Sequence, residues 1–526
     1  MPGSERGILG IKKDPKNPLI FTFRRGGEEW PSSDSEDSDY DPGTGSDDNG
    51  DSAEKGKTKR TKKQIRKKRG KKAKSDLKED KGQSDEGFAS EGSQDHSDDL
   101  WGQRIPPEVL LKIFKSCVDT QGALPFLCRA SQVCKLWNAT SQDACLWEYL
   151  DLSYGWIKST DRTLIWLCTY RGSKVKELDL QTWKNLTPCA LQAVAEHCPL
   201  LESININYCT KVNSQGLKFI LDACHNLSKL ELGFMGADAV SAQSLRYLIE
   251  SRKEKLKLLN LSGNTLTGFN AILSNHISVY CPNLEHLDLS FCIFSVDFVS
   301  LPIEKLQSGC PKLKILRLTN SKFRAAAVSI KTQAEAKGFP ELEELSVAIS
   351  PEGPNNGIGM DDNFLHRILK SSVDLKRLDI RGSTHMGMDS LQTLPVTDLT
   401  HLYLSQSSIA RYEGIEVIMR KWQHSLEELD LSWNMYPGMS LDLAMNKLSD
   451  DPSKSRLKTL DLSGTCISCA SLKSLLAGCP NLTSINLSSC RGLQRGMKRE
   501  YSASSLNKLR DEIDSLVEQE ASEHGQ

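Results

Sequence analysis

The sequence predicts an α/β chain. A horseshoe-shaped solenoid, with parallel strands on its concave side and helices on its convex side, follows a short three-helix segment and a disordered arm. Three observations predict this. A leucine rhythm recurs twelve times between Val175 and Leu482. Residues 100–152, just ahead of it, carry apolar side chains at helical spacing. Residues 1–99 are poor in apolar side chains and rich in Ser, Asp, Gly and Lys, so burial there cannot offset the entropy of ordering the chain.

The arm concentrates the charge. Net charge over 526 residues is −1, yet residues 55–74, "KGKTKRTKKQIRKKRGKKAK", hold thirteen Lys and Arg, which leaves −14 on everything else. Lys59, Arg60, Lys62, Lys63, Arg66, Lys67, Lys68 and Arg69 read as a nuclear-import signal, implying a protein of nucleus and cytoplasm. The alternative is polyphosphate binding. Because the block holds no aromatic for base stacking, contact with RNA or DNA would be electrostatic and blind to sequence. Ser33, Ser35 and Ser38 precede acids, a context that suits an acid-directed kinase or a plain solvated linker. "PLIFTF" at Pro18–Phe23 is the arm's apolar island, either a short docking motif or a collapsed patch.

In the three-helix segment Pro107 stands where a helix begins, and Leu110, Ile113, Phe114 and Cys117 follow at helical spacing. Phe126, Leu127, Ala130, Val133, Cys134 and Trp137 make a second stripe, and Leu146, Trp147 and Leu150 a third, shorter one. Three short helices cannot be stable with both faces bare, so something else covers one of them.

From about Ser173 the pattern L-x-x-L-x-L begins at Val175, Leu201, Leu227, Leu256, Leu284, Leu313, Leu342, Leu375, Leu399, Leu426, Leu457 and Leu482. Units of this length and pattern are leucine-rich repeats: alternate leucines face inward from a short strand, and the rest of the unit returns as a helix. Cysteines before proline (Cys198, Cys281, Cys310, Cys479) and after the strand (Cys209, Cys292, Cys490) suit a crowded turn between layers. The 33-residue unit contains "ISPEGPNNGIGMDD", a flexible loop that either folds over the rim or is a tolerated insertion. Stacked units need caps at both ends. Over residues 496–526, Leu506, Leu509, Ile513, Leu516 and Val517 share one face of a predicted capping helix, with a dimer seam as the alternative.

The segment resembles the F-box: Ile105-Pro106-Pro107-Glu108, then Leu111 with Ile113-Phe114, then Val133-Cys134 with Trp137, and Leu146-Trp147 with Leu150. F-box proteins commonly carry leucine-rich repeats just behind this motif, as residues 153–495 do here. The resemblance implies docking onto the small Skp adaptor of a cullin–RING ubiquitin ligase through Ile105, Pro106, Pro107, Glu108, Leu111, Ile113, Phe114, Val133 and Trp137. It also places Trp137 in the trihelical core near the adaptor and Trp147 at the junction with the first repeat. One departure is the connection "KSCVDTQGALPF", longer than is usual in the family.

On the concave face the position between the last two apolar residues of each unit holds six acids and one base among twelve, a row that favours a basic partner segment unless the acids are a habit of the repeat. Three residues further on lie Tyr208, Phe234, Phe291 and Trp433, readable as exposed anchors for a substrate or as packing. No nucleophile–base set, phosphate-cradling loop or metal-ligand cluster is recognisable, and His197, His225 and His401 fall within repeat elements. The single CxxC, Cys466 to Cys469, has no second pair. With no apolar run of eighteen residues and no signal-peptide core, the expectation is a soluble intracellular protein without cofactor or catalysis of its own. The leading reading is therefore the substrate receptor of a Skp–cullin–F-box ligase. A scaffold without ligase activity and a nucleic-acid-associated protein working through the basic arm are the alternatives.

Overall fold

The computed structural model describes residues 9–13, 21–25 and 105–523, apart from 156, 237, 351–359, 408, 410–413 and 435–437. In the arm, Leu9–Lys13 and Phe21–Arg25 pair as an antiparallel ribbon, and the second strand takes in Phe21 and Phe23 of the apolar island. The basic block and the acid-flanked serines lie outside the described residues.

The first helix, Pro107–Gln121, starts on a proline whose missing N–H costs nothing in the first turn. It buries Leu110, Phe114 and Val118, four residues apart, while Ile113, expected on the same face, points out at 41% exposure. The second stripe forms two helices, Phe126–Ala130 and Lys135–Ser141. A local cause separates them. The Ser131 hydroxyl donates to the Cys128 carbonyl, Asn138 Nδ2 donates to the Ser131 carbonyl (2.9 Å), and Cys134 is fully extended. The third helix shrinks to a 3-10 turn, Ala144–Trp147, because Leu150 is drawn into a strand.

That strand, Tyr149–Asp151, pairs with Glu177–Asp179 and is the first of thirteen parallel strands. With a closing antiparallel strand, Glu500–Ser502, they form the fourteen-stranded sheet found among the described residues. Each parallel strand is three residues long, and its central Leu or Ile is at most 2% exposed. The two flanking residues face the other way, into the concavity. A fully buried Leu contributes about 2 kcal/mol, so this column and the leucines on either side of it hold the stack together.

Helices return on the convex side. Thr160, Asn213, Ser241, Asp361 and Ser468 each cap one by accepting the backbone N–H three residues on. One unit breaks the pattern: its helix, Ile330–Glu335, buries no side chain. The helices before and after it, Ile303–Gly309 and Asp362–Leu369, meet directly. Across that contact Arg367 grips Glu304 with two bonds of 2.7 and 2.8 Å, both side chains under 10% exposed, and Gln307 donates to the Arg367 carbonyl.

Tyr501, fully buried in the antiparallel strand, and Leu506, Leu509 and Ile513 of the helix Ser504–Glu523 cover the last unit. The side chains of Leu516 and Val517 lie outside the described residues.

The repeat cysteines have a definite task. Cys209, Cys292 and Cys490 donate from sulfur to the carbonyls of Leu180, Leu261 and Leu462 in the preceding unit, at 3.1–3.2 Å. Asn264, Ser321 and Asn434 fill the same position in other units and donate to Leu232, Leu289 and Leu404. A small donor here satisfies a buried carbonyl at each layer boundary. All sixteen cysteines are thiols.

Candidate functional site

The helical segment presents two kinds of residue. Phe114, expected at the adaptor surface, is instead 0% exposed and packs edge-on against Phe126 (5.3 Å) and Trp137 (5.1 Å). It builds the core of the segment and cannot touch a partner. Ile105, Leu111 and Trp137 are half-buried, and Pro106, Pro107 and Glu108 are exposed. Val133 is 61% exposed in the turn between the two short helices. Val109, one helical turn before Ile113, is also exposed at 48%. The sequence reading named Ile113 for the adaptor but put it in one stripe with the buried Leu110 and Phe114, and so missed Val109, its neighbour on the outer face. Trp147 is buried at the junction, its Nε1 donating to the Ser141 carbonyl (2.9 Å) and the Arg171 guanidinium lying 5.4 Å from its ring.

The long connection has a place as well. Gln121, Gly122, Ala123, Leu124 and Pro125 wall a hollow of about 680 Å³ over the first concave strands. Gly122 takes φ 80° and ψ 163°, a conformation essentially closed to other residues. Opposite stand Tyr149, Tyr154, Asp151, Glu177, Asp179 and Glu231. Tyr149 and Tyr154 are 51% and 76% exposed.

Along the rest of the concavity the acids read as a charged row have local work. The carboxylates of Asp179, Asp288, Asp430 and Asp461 each accept the backbone N–H two residues on, at 2.8–2.9 Å, and Asn205, Asn260 and Asn486 do the same. They cap the turn after the strand. In the middle units arginines cancel them. Arg317 bonds Glu344 at 2.6 Å and lies 3.8 Å from Asp288, and Arg381 bonds Asp379 at 2.8 Å. Tyr403 is flanked by Arg377 and Arg381, 5.7 and 5.2 Å from its ring. Burial keeps the imidazoles of His286 and His401 below their ordinary range, so neither adds charge at neutral pH. The acidic row is thus offset by arginine in the middle units, while Asp430 and Asp461 at the far end, and Asp151, Glu177, Asp179 and Glu231 at the end beside the helical segment, have no bonded arginine among the described residues. There burial, followed by the charges of Asp151 and Glu231, raises the Asp179 carboxyl above its usual range.

The aromatics share one backbone conformation. Tyr208, Phe234, Phe291 and Trp433 have φ of 64°, 53°, 58° and 55°, and each donates its N–H to a carbonyl of the next unit at 2.7–2.9 Å. Elsewhere this turn position holds Gly263, Gly382, Gly464 and Asn320, residues suited to left-handed backbone, and also Thr182, Gln406 and Ser489, which are not. A large ring there carries a cost, and folding recovers little of it, because Tyr208, Phe291 and Trp433 are 40%, 47% and 54% exposed. The rings of Tyr208 and Phe234 stack at 4.6 Å with 6° between their planes, and Phe291 follows at 6.3 Å from Phe234. Phe234 and Phe291 border a second hollow of about 420 Å³ that also takes in Arg317, Arg377 and Tyr403. Among the described residues no cluster of three or more His, Cys, Asp or Glu has metal-binding geometry, and no helix is long and apolar enough to cross a membrane.

Comparison with known proteins adds the family. Residues 103–153 match the F-box-like family model, and residues 280–294 match a leucine-rich-repeat model. F-box protein SKIP19 of Arabidopsis thaliana is 26% identical over 46% of this chain and 85% of its own length. F-box/LRR-repeat protein 4 of Bos taurus is 24% identical over 50% of this chain and 40% of its own length. Another Arabidopsis thaliana F-box/LRR-repeat protein is 28% identical over 40% of this chain, a match that spans about half (53%) of that relative's length. With the helical segment in front, the repeat sheet behind and both matched, the chain carries an F-box-like segment followed by leucine-rich repeats, the arrangement of the F-box/LRR-repeat proteins to which it is similar.

Proposed function

We propose that this protein is a substrate receptor of a Skp–cullin–F-box type ubiquitin ligase: the helical segment binds the Skp adaptor, and through it the cullin and RING subunits, while the repeats hold the protein to be ubiquitinated. One observation carries the reading. The helical segment has a closed core around Phe114, yet it leaves Val109, Ile113 and Val133 between 41% and 61% exposed, apolar surface that its own fold does not use. The receptor does no chemistry itself. It fixes the target at a set distance from the charged enzyme, which raises the effective concentration of the acceptor lysine. The basic block supports import into the nucleus, with a cytoplasmic fraction.

The test is co-purification of the full chain with adaptor and cullin. Ile113→Asp with Val133→Asp changes exposed side chains only, so the repeats stay folded, and capture of both partners is expected to be lost. Wild-type capture by this variant would refute the proposal.

A further inference from the structure

The aromatic ladder and the acidic hollow beside it have a shared use. We propose that the end of the concave face next to the F-box binds an extended protein segment carrying arginine or lysine, whose cationic side chains lie on the outer face of the Tyr208 ring, itself stacked on Phe234, and reach the carboxylates around the first hollow.

This rests on the receptor reading and names the class of segment that the receptor takes. Tyr208, 40% exposed, stacks on Phe234 with the rings parallel and 4.6 Å apart, so the π-surface it offers is its own outer face, set in a backbone conformation that glycine or asparagine would adopt at lower cost. Phe234 lies against Gly263 of the next unit, where a Cβ would strike its ring. The next unit is thus shaped to let the ring lie across it. A ring face attracts cations through its quadrupole, and a planar guanidinium stacks on it well.

Charge points to the same occupant. Four carboxylates, those of Asp151, Glu177, Asp179 and Glu231, line the first hollow without a cationic residue among its walls. The nearest counter-charge is Lys229, 3.5 Å from Glu177 with both side chains close to half exposed, a pair too wet to neutralise the site. An acidic segment would meet repulsion here, and a purely apolar one would cover carboxylates whose bonded partners, Lys229 apart, are neutral donors such as Ser153, Gln181 and Asn207. The connection at residues 121–125 closes one side, so the segment would lie directly against the F-box.

The probe is a fluorescein-labelled (Gly-Arg)₅ peptide, titrated by fluorescence polarisation against the full chain. Its isostere with citrulline for arginine, and (Gly-Glu)₅, serve as controls. The parent is expected to bind the arginine peptide and neither control. Two variants are expected to bind about tenfold more weakly: Tyr208→Asn with Phe234→Asn, which removes the rings but suits the left-handed backbone, and Asp151→Asn with Glu177→Gln, which removes charge but keeps the oxygen acceptors. Both should melt as the parent does and capture adaptor normally. Equal binding by parent and variants, binding of the citrulline peptide, or no binding by the parent would overturn the proposal. Failure of adaptor capture by the parent would instead strike the receptor reading, which the peptide titration does not depend on.

Discussion

Replacing Phe291 or Trp433 by asparagine separates a recognition surface from a packing one, because the two roles predict opposite thermodynamics. Phe291 is 47% exposed, so the ring keeps about half of its area from water. Truncating it forfeits about 1 kcal/mol of the 1.5–3 kcal/mol that full burial is worth. Against this stands the backbone. At φ 58° a bulky L-residue costs about 1–2 kcal/mol, which asparagine largely avoids. The two contributions cancel to within about 1 kcal/mol, and Trp433, 54% exposed at φ 55°, gives the same balance. Urea titration of each variant beside Leu287→Ala supplies the scale, since that leucine is 0% exposed and its loss costs about 2–5 kcal/mol. The expected result is that both asparagine variants unfold close to the parent while the leucine variant unfolds far earlier. A loss above about 2 kcal/mol in either asparagine variant would show that the ring is a structural element and refute the argument from unrecovered strain.

The other predictions concern the core. Arg367→Met leaves Glu304 buried without its partner and should cost about 3–5 kcal/mol in urea titration, while Glu304→Leu combined with Arg367→Met should recover most of that loss. Burial pushes the thiols of Cys209, Cys281, Cys292 and Cys310 up to about 12, so at pH 8 roughly one in ten thousand is ionised. Iodoacetamide labelling read by mass spectrometry should modify the exposed Cys189 well before these four, which should react only after unfolding. Simultaneous labelling would mean that the layers open far more readily than the packing implies.

How far the sequence could be read depended on whether a feature is local. The leucine period survives because each strand must put a central apolar residue inside; twelve units were countable, and of the parallel strands in the large sheet the first, at Tyr149–Asp151, escaped, since the helical stripe claimed Leu150 as well. The cysteines were read correctly as turn residues. Their equivalence to Asn264, Ser321 and Asn434, however, appears only when the units are stacked and the accepted carbonyls line up. Glu304 and Arg367 stand 63 residues apart and meet because an intervening helix has left the convex layer, which no periodicity announces. The acids of the concave row misled for a different reason. An aspartate capping its own turn and an aspartate waiting for a cation are the same letter, and only the accepted N–H two residues on tells them apart.

The turn position after each strand shows what a comparison across units can still extract. Gly263, Gly382, Gly464 and Asn320 mark it as left-handed without any coordinates, because those residues recur where others are strained. Once it is marked, Tyr208, Phe234, Phe291 and Trp433, with Thr182, Gln406 and Ser489, stand out as departures from it, and the four aromatics are the bulkiest of these. The structure then shows that two of the violations carry compensation from the next unit. Phe234 lies over Gly263 and Trp433 over Gly464, where a Cβ would come within 2.7 Å of the indole. Each pairing of a large ring with a bare backbone one unit on places an aromatic across a layer boundary, and Trp433 there remains 54% exposed. Packing alone would favour the reverse, a small residue at the strained position and a larger one to fill the space beside it. The arrangement therefore makes physical sense as a surface held ready for something outside the chain.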